Sequence, residues 1–244
     1  TVNGTICSRG FGYALDAEDV IGGAGSGGTV NITAGSLAGT GRIDADGGNN
    51  GLYGPGSGGR VKVALTGANS KFSSFSGEIR AFGGSVQNQE QANLNDLTPG
   101  AAGTVCLVEG NSAPVVKVYN EWRYGDAVAA WRVAEDASAV PSATHLPARQ
   151  NGDSISALKK TKWELSGHGA IRLTRDVQIA SLSLAAADGT QKVYTDGFKL
   201  TTPALVVNGS RFRSGTYTAE TNPEFIVGDG SVTVGGSGLA IFVR

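Results

Sequence analysis

The sequence lacks several features that mark common protein classes. It has no methionine, two cysteines and two histidines, and its 20 basic residues are balanced by 21 acidic ones. A chain without excess positive charge lacks the electrostatic footprint of a nucleic-acid-binding protein, and the same balance gives no attraction to an anionic membrane surface. No apolar run approaches the length of about 18 residues that a spanning helix needs. We therefore expect no nucleic-acid partner and no transmembrane segment.

Signatures of catalysis and metal binding are equally scarce. No G-x-S-x-G sequence is present, so the nucleophile turn of a serine hydrolase has no counterpart here. His145 and His168 stand alone, without cysteine or histidine at ligand spacing. EF-hand and RTX nonapeptide spacings are absent as well. These absences favour a non-catalytic protein and leave the question of enzyme activity open.

Glycine is what the chain has in excess, with 38 residues against a usual share of about 7%. The glycines follow no strict G-X-Y period, which excludes a collagen helix, and the alternating apolar residues between them exclude simple disorder. Gly23, Gly25 and Gly28 match the G-x-G-x-x-G pattern of dinucleotide-binding loops. A strand-like segment follows them where that fold needs a helix, so we interpret them as corner glycines.

Internal repeats organise the first half of the chain. The strand-like motif "GGTVNI" recurs as "GGRVKVAL" and "AGTVCLV", with a fainter copy in "NGTIC", at residues 27–32, 58–65, 102–108 and 3–7. Its alternation predicts stacked parallel strands with Val30, Val61 and Val105 directed inward. Equating the first and last copies places Cys7 and Cys106 about 14 Å apart, beyond disulfide reach. We predict two free thiols.

The repeats predict an all-β protein. We expect a right-handed parallel β-helix over residues 1–118, because short alternating strands are separated by glycine-rich corners. Residues 119–165 depart from the pattern: they contain all three tryptophans and a proline-containing segment at 140–153. Alternation then resumes at 170–186. Residues 119–244 are therefore predicted to form a second β-rich part, either a continuing solenoid or a sandwich.

Paired carboxylates supply one candidate site. Asp44 and Asp46 lie two residues apart on a predicted strand and would point to the same face. Such a pair serves Ca²⁺ binding or glycoside hydrolysis; the simpler interpretation is a solvated charged face. Aligning "GRIDADGG" (41–48) with "GEIRAFGG" (77–84) sets Asp44 opposite Arg80, which predicts an ion pair between coils and leaves Asp46 unpaired.

Aromatic residues supply the second candidate. Trp122, Tyr124 and Trp131 are close in sequence. Aromatic faces stack on sugars, so these three could form a carbohydrate-binding platform; otherwise they cap the solenoid or fill a small core.

Two stretches carry a family resemblance. "GAGSGGTVNITAGSLAGTGRIDADGG" (23–48) resembles the glycine-rich β-solenoid segments of bacterial surface and autotransporter-like, adhesin-type proteins. The stretch "VVNGSRFRSGTYT" (206–218) looks like the closing unit of autotransporter-associated strand repeats. The resemblance implies an extracellular or cell-surface structural or adhesive module, without catalysis, whose partners are polysaccharide or a neighbouring surface protein. The alternative is a polysaccharide lyase, a glycoside hydrolase or a carbohydrate-binding accessory domain on the same fold.

Overall fold

The computed structural model describes residues 1–12, 23–49, 54–85, 99–120, 143–146, 155–186 and 190–235. Regular structure in these ranges is β, apart from two 3₁₀ segments at Phe72–Ser74 and Ile155–Lys160. The first strands are β1 (Thr5–Cys7), β2 (Thr29–Ala34), β3 (Arg42–Asp44), β4 (Arg60–Leu65), β5 (Glu78–Arg80), β6 (Thr104–Glu109) and β7 (Val115–Asn120). The all-β prediction is confirmed.

Twelve further strands follow in the described part of the chain. They are β8 (Thr144–Leu146), β9 (Lys162–Gly167), β10 (Ala170–Leu173), β11 (Val177–Gln178), β12 (Ser181–Leu184), β13 (Lys192–Tyr194), β14 (Lys199–Thr202), β15 (Leu205–Val207), β16 (Ser210–Arg211), β17 (Gly215–Tyr217), β18 (Ile226–Val227) and β19 (Ser231–Val234). In the ranges described, the chain contains no helix whose length and hydropathy suit a bilayer crossing.

The N-terminal stack, residues 1–109, alternates between two parallel sheets. Strands β1, β3 and β5 form one sheet, and β2, β4 and β6 lie in the other. Val30 pairs with Val61, and Val61 pairs with Val105. All three are buried, at 8%, 1% and 5% exposure. The predicted parallel stacking and the inward direction of these valines are confirmed.

A hairpin reverses the chain after this stack. Strand β7 pairs antiparallel with β6, across a turn that contains Gly110 at φ +53°. The same sheet then continues in parallel through β7, β9, β12 and β15. One eight-stranded sheet therefore crosses residue 118, the predicted domain boundary. Whether the two parts are separate domains stays a prediction.

The C-terminal stack, residues 162–234, distributes its strands over three sheets. Three sets of strands from successive coils lie side by side. They are β9, β12 and β15; β10, β13 and β18; and β11, β14 and β19. These neighbours are all parallel. The core here is large and aliphatic, with fully buried Ile171, Leu182, Leu200 and Leu205. The N-terminal stack has its own smaller core, which contains Ile43 and Val63.

Candidate functional site

Six extended segments, here called the glycine arms, project beyond the strands of the N-terminal stack. They belong to no strand, and they occupy residues 8–12, 23–28, 45–49, 54–59, 81–85 and 99–103. A chain of backbone hydrogen bonds of 2.8–3.0 Å joins them. The donors and acceptors are Gly25 N–H to Phe11 O, Gly48 to Gly25, Gly56 to Gly48, Gly84 to Gly56 and Gly100 to Gly84.

Four of the glycine arms, 8–12, 23–28, 45–49 and 54–59, also bond to the equivalent arm of the next coil. Gly10 N–H donates to Asp46 O, and Gly47 N–H donates to Phe82 O, both at 2.8 Å. Each of these arms therefore has hydrogen-bonded neighbours in more than one direction, as in a polyglycine lattice. A strand in a flat sheet, in contrast, bonds only to the strands on its two sides. This packing leaves no room for a side chain at several of the glycines: a Cβ atom on Gly10, Gly56 or Gly100 would overlap a carbonyl oxygen of a neighbouring arm.

Backbone amides of the glycine-rich stretch at 23–28 therefore already donate to neighbouring segments of the chain. Gly25 N–H donates to Phe11 O, and Gly28 N–H donates to Ser8 O at 2.7 Å. Strand β2 follows directly, so there is no helix N-terminus to hold an anion. This geometry supports the corner interpretation over a phosphate cradle.

Asp44 is the most enclosed charged group among the described residues, with a side chain 0% exposed. Arg9 binds it through both ends of the guanidinium, with Nε 2.6 Å from Oδ1 and Nη2 2.7 Å from Oδ2. Arg42 Nε lies 2.8 Å from Oδ2, without the alignment of a hydrogen bond. The contact with Asp44 raises the pKa of the Arg9 guanidinium, against a smaller opposing effect of burial. This carboxylate is therefore bound by two arginines.

Asp46 is paired as well. Its Oδ2 lies 2.7 Å from Arg80 Nη2, and its Oδ1 accepts the backbone N–H of Phe82 at 2.9 Å. Arg80 also contacts Glu78 at 3.2 Å, and its guanidinium carbon lies 4.7 Å from the centre of the Phe82 ring.

The predicted partner of Asp44 is therefore wrong, although the predicted register is right. Asp44 does lie opposite Arg80 across β3 and β5. The Arg80 side chain, however, extends along its strand to Asp46, and Arg9 from the preceding coil takes its place at Asp44. The prediction that Asp46 stays unpaired is wrong for the same reason.

The two cysteines are free, as predicted, but the argument for it was partly wrong. Cys7 lies on β1 opposite Asp44, whereas Cys106 lies on β6 opposite Lys62. They belong to different sheets, so the copies "GTIC" and "GTVC" are not equivalent. Burial raises the pKa of the Cys106 thiol, and nearby Lys62 lowers it by less.

In the cluster of arginines and carboxylates, the carboxylate oxygens already have partners within the protein. A general acid or base needs reach to a substrate proton, and a Ca²⁺ ligand needs free oxygen lone pairs. Here the oxygens of Asp44 and Asp46 are directed at arginines and a backbone amide. Within the described ranges, no three histidine, cysteine or acidic side chains gather as a metal site would require. The Ca²⁺ role of these two residues stays a prediction.

The predicted aromatic platform, Trp122, Tyr124 and Trp131, lies outside the described residues. A different aromatic pair was missed by the sequence interpretation. Phe82 and Tyr119 meet edge to face, with ring centres 4.9 Å apart, and Tyr119 is 36% exposed. Alternation in "VVKVYN" places Tyr119 on the face of β7 opposite Val118, so its direction was readable, but its partner in a glycine arm far away in the sequence was not.

A groove of about 650 Å³ runs along the corners where β2, β4 and β6 begin. Its lining consists of residues 26–29, 57–60, 101–104 and 143–146, with Cys106, Val116, Leu158 and Trp163. Hydroxyl groups are prominent: Ser57 Oγ donates to Ser26 Oγ at 3.0 Å, and Thr144 Oγ1 donates to Ala102 O at 2.6 Å. Trp163 is only 5% exposed, so it offers no open face for stacking.

Comparison with known proteins adds no family to these observations. Searches against protein-family models, curated proteins and solved structures give no match in any of the three.

Proposed function

We propose that this chain is a structural or adhesive module of a bacterial surface or secreted protein, built on a right-handed parallel β-helix, and that it is not a catalyst. The observation that carries the proposal is that the polar groups of the N-terminal stack already bind one another. The carboxylates of Asp44 and Asp46 bind arginines, and the amides of the glycine arms bind one another. These groups hold coils together.

The hydrogen bonds between the glycine arms are suited to a scaffold role. Each backbone hydrogen bond contributes only about 0.5–1.5 kcal/mol net, but the bonds form a continuous series through Phe11, Gly25, Gly48, Gly56, Gly84 and Gly100. A segment with bonds in several directions resists bending more than a loop does. Rigid extension is the property that a stalk or adhesive module needs outside the cell.

The second candidate is a carbohydrate-binding accessory domain or a polysaccharide-acting enzyme. The corner groove favours it, since extended glycans bind in open clefts with many hydroxyl and amide partners. Arg60 and His145 line that groove beside Ser26, Ser57 and Thr144. On this proposal the partner is a polysaccharide; on the first it is a polysaccharide or a neighbouring surface protein.

A glycan array probed with and without Ca²⁺, followed by analysis of the glycan for cleavage, separates the enzyme from the non-catalytic proposals. Binding without product release supports a non-catalytic module, either adhesive or an accessory domain. Release of shortened sugars supports the enzyme and contradicts the first proposal. A change of affinity with Ca²⁺ would support the predicted role of Asp44 and Asp46.

Two substitutions on β4 locate any glycan binding. Arg60 lines the groove, whereas Lys62, two residues along the same strand and also exposed, does not. Arg60→Ala should weaken binding about tenfold if the groove is used, and Lys62→Ala should leave it unchanged. Equal effects of the two variants would contradict binding in the groove.

A further inference from the structure

The corners that form the groove repeat one short sequence. The copies are "SGGT" at 26–29, "SGGR" at 57–60 and "AAGT" at 101–104. Strand pairing aligns the last residue of each copy, with Thr29 beside Arg60 and Arg60 beside Thr104. Neighbouring strands of a sheet are about 4.8 Å apart. The groove is therefore lined by a row of polar side chains at this spacing, and its middle member is an arginine.

Arg60 gives the groove its charge. Among the described residues that line the groove, it is the one with a permanent charge, and neither aspartate nor glutamate is present. The Arg60 side chain is exposed, and it has no salt bridge or hydrogen bond to the part of the chain that the structure describes. The single carboxylate on strands β2, β4 and β6 belongs to Glu109 at the far end of β6, where Lys71 binds it at 3.1 Å.

An uncharged ligand would leave the Arg60 guanidinium without a counter-ion. Covering a charged group removes its water, and this cost is recovered only where the new surroundings supply an opposite charge and hydrogen bonds. No described residue of the groove lining supplies that charge, so the ligand has to bring it. A guanidinium binds a carboxylate through two parallel hydrogen bonds, which adds geometric specificity to the attraction.

The rest of the lining favours hydrogen bonds to a sugar over stacking on it. Ser26, Ser57 and Thr144 present hydroxyl groups in the groove. Trp163 lies in the same lining but is too deeply buried to stack on a sugar ring. Affinity for a glycan in this groove therefore comes from charge and hydrogen bonds.

We propose that the groove binds an acidic polysaccharide, whose sugars carry carboxylates, and that Arg60 binds one of these carboxylates through both of its guanidinium edges. This inference rests on the second proposed function, glycan binding in the groove, and specifies the class of ligand. The chain as a whole has a net charge of −1 at pH 7, so it has no general attraction for a polyanion. Binding of an acidic glycan therefore depends on the local contact with Arg60.

Calorimetric titration with a matched pair of oligosaccharides tests the inference. One is an oligogalacturonate, and the other is the same oligomer after its carboxyl groups have been reduced to neutral alcohols. The wild type should bind the acidic oligomer at least about tenfold more tightly than the reduced one. Added NaCl should narrow this difference, because it screens the attraction between guanidinium and carboxylate. An oligomannuronate and its reduced form repeat the comparison on a second sugar backbone.

Three substitutions on β4 separate recognition by Arg60 from general attraction. Arg60→Gln removes the guanidinium charge and should weaken binding of the acidic oligomer about tenfold or more, without weakening binding of the reduced oligomer. Arg60→Lys keeps the charge but not the planar fork, so it should restore only part of the affinity. Lys62→Gln removes an equal charge outside the groove lining and should bind like the wild type.

Equal or tighter binding of the reduced oligomers overturns the inference, although glycan binding in the groove would stand. Equal losses in Arg60→Gln and Lys62→Gln would mean non-specific attraction and overturn it as well. If neither the acidic nor the reduced oligomers bind, the inference fails together with the groove as a glycan site. Circular dichroism and thermal melting of each variant confirm that it is folded.

Discussion

The N-terminal and C-terminal stacks hold parallel strands together by different means. In the C-terminal stack, successive coils are close in sequence, as with Leu182 beside Leu205, and each contributes aliphatic side chains to one continuous core. In the N-terminal stack, neighbours such as Val61 and Val105 are farther apart along the chain. The intervening residues include glycine arms that bond backbone to backbone. In the N-terminal stack, backbone bonds between glycine arms thus set the register of the coils, as apolar side chains do in the C-terminal stack. Because glycine has no side chain to bury, the apolar core of the N-terminal stack is smaller.

The two stacks also differ in how deeply they bury charged side chains. The N-terminal stack encloses Asp44, Asp46 and Arg80, at 0%, 9% and 9% exposure. The C-terminal stack instead places Arg172 at a corner, 3.4 Å from Asp196, where both side chains stay partly exposed. A small core with few apolar residues fixes its register through ion pairs and amides, while a large one does so through packing.

The largest effect should come from removing a core side chain in the C-terminal stack. Leu182→Ala leaves a cavity among fully buried neighbours and should lower the free energy of unfolding by about 2–5 kcal/mol. Val63→Ala in the N-terminal stack removes fewer methyl groups and should cost about half as much. Urea unfolding of both variants measures the difference. Equal losses would mean that the two cores contribute alike.

A methyl group placed inside the glycine arms should come next. Gly56→Ala sets a Cβ against the carbonyl of Gly25 and should destabilise by about 1–3 kcal/mol. Gly35 is the matched control, because nothing lies within 4 Å of the position its Cβ would take. Gly35→Ala should be neutral or slightly stabilising. If chemical denaturation finds both variants alike, close packing of the arms is not a constraint.

The ion pairs should contribute somewhat less. Asp44→Asn leaves Arg9 and Arg42 without a carboxylate, but both arginines are partly exposed, at 39% and 35%, and regain water. We expect a loss of about 1–2 kcal/mol. A double-mutant cycle with Arg9→Gln should give a coupling energy of the same order. Adding Ca²⁺ to the wild type should leave its melting temperature unchanged; a rise that Asp44→Asn abolishes would establish the metal site instead.

The smallest expected effect is confined to alkaline pH and to the C-terminal stack. Burial raises the pKa of Tyr194 to about 12, with a smaller opposing contribution from Arg172. Between pH 10 and 12 the folded state therefore holds a proton that the unfolded state has lost, so stability falls as pH rises through this range. Tyr194→Phe should reduce that fall by about 1–2 kcal/mol. Denaturant titrations of wild type and variant at pH 9 and about pH 11.5 give the comparison; parallel losses would contradict it.

Some of this architecture was readable from the sequence, because alternation and repetition encode it directly. The matching of "GRIDADGG" with "GEIRAFGG" gave the correct register of β3 against β5. The place of β1 was misjudged, because "NGTIC" and "AGTVCLV" share an alternation that suits either sheet. The partner of Asp44 could not be found, because a long arginine side chain reaches several neighbouring positions and only the folded coil decides among them.

The glycine arms could not be predicted in detail either. A run such as "GPGSGG" (54–59) has no side-chain period, so its sequence marks a corner but not the direction of its hydrogen bonds. The reversal between β6 and β7 did leave a signal in the turn residues "GNSAP" at 110–114.

Amide hydrogen exchange measured by NMR tests most directly whether the glycine arms hold the N-terminal stack together. The amides of Gly48, Gly56, Gly84 and Gly100 lie outside any strand, yet each donates to another arm at 2.8–3.0 Å. We expect them to exchange as slowly as the amide of Val63 in the middle of β4, and to lose protection together in Gly56→Ala. Exchange at the rate of an open loop, with β4 still protected, would show that the strands carry the stack without the arms and would contradict the account.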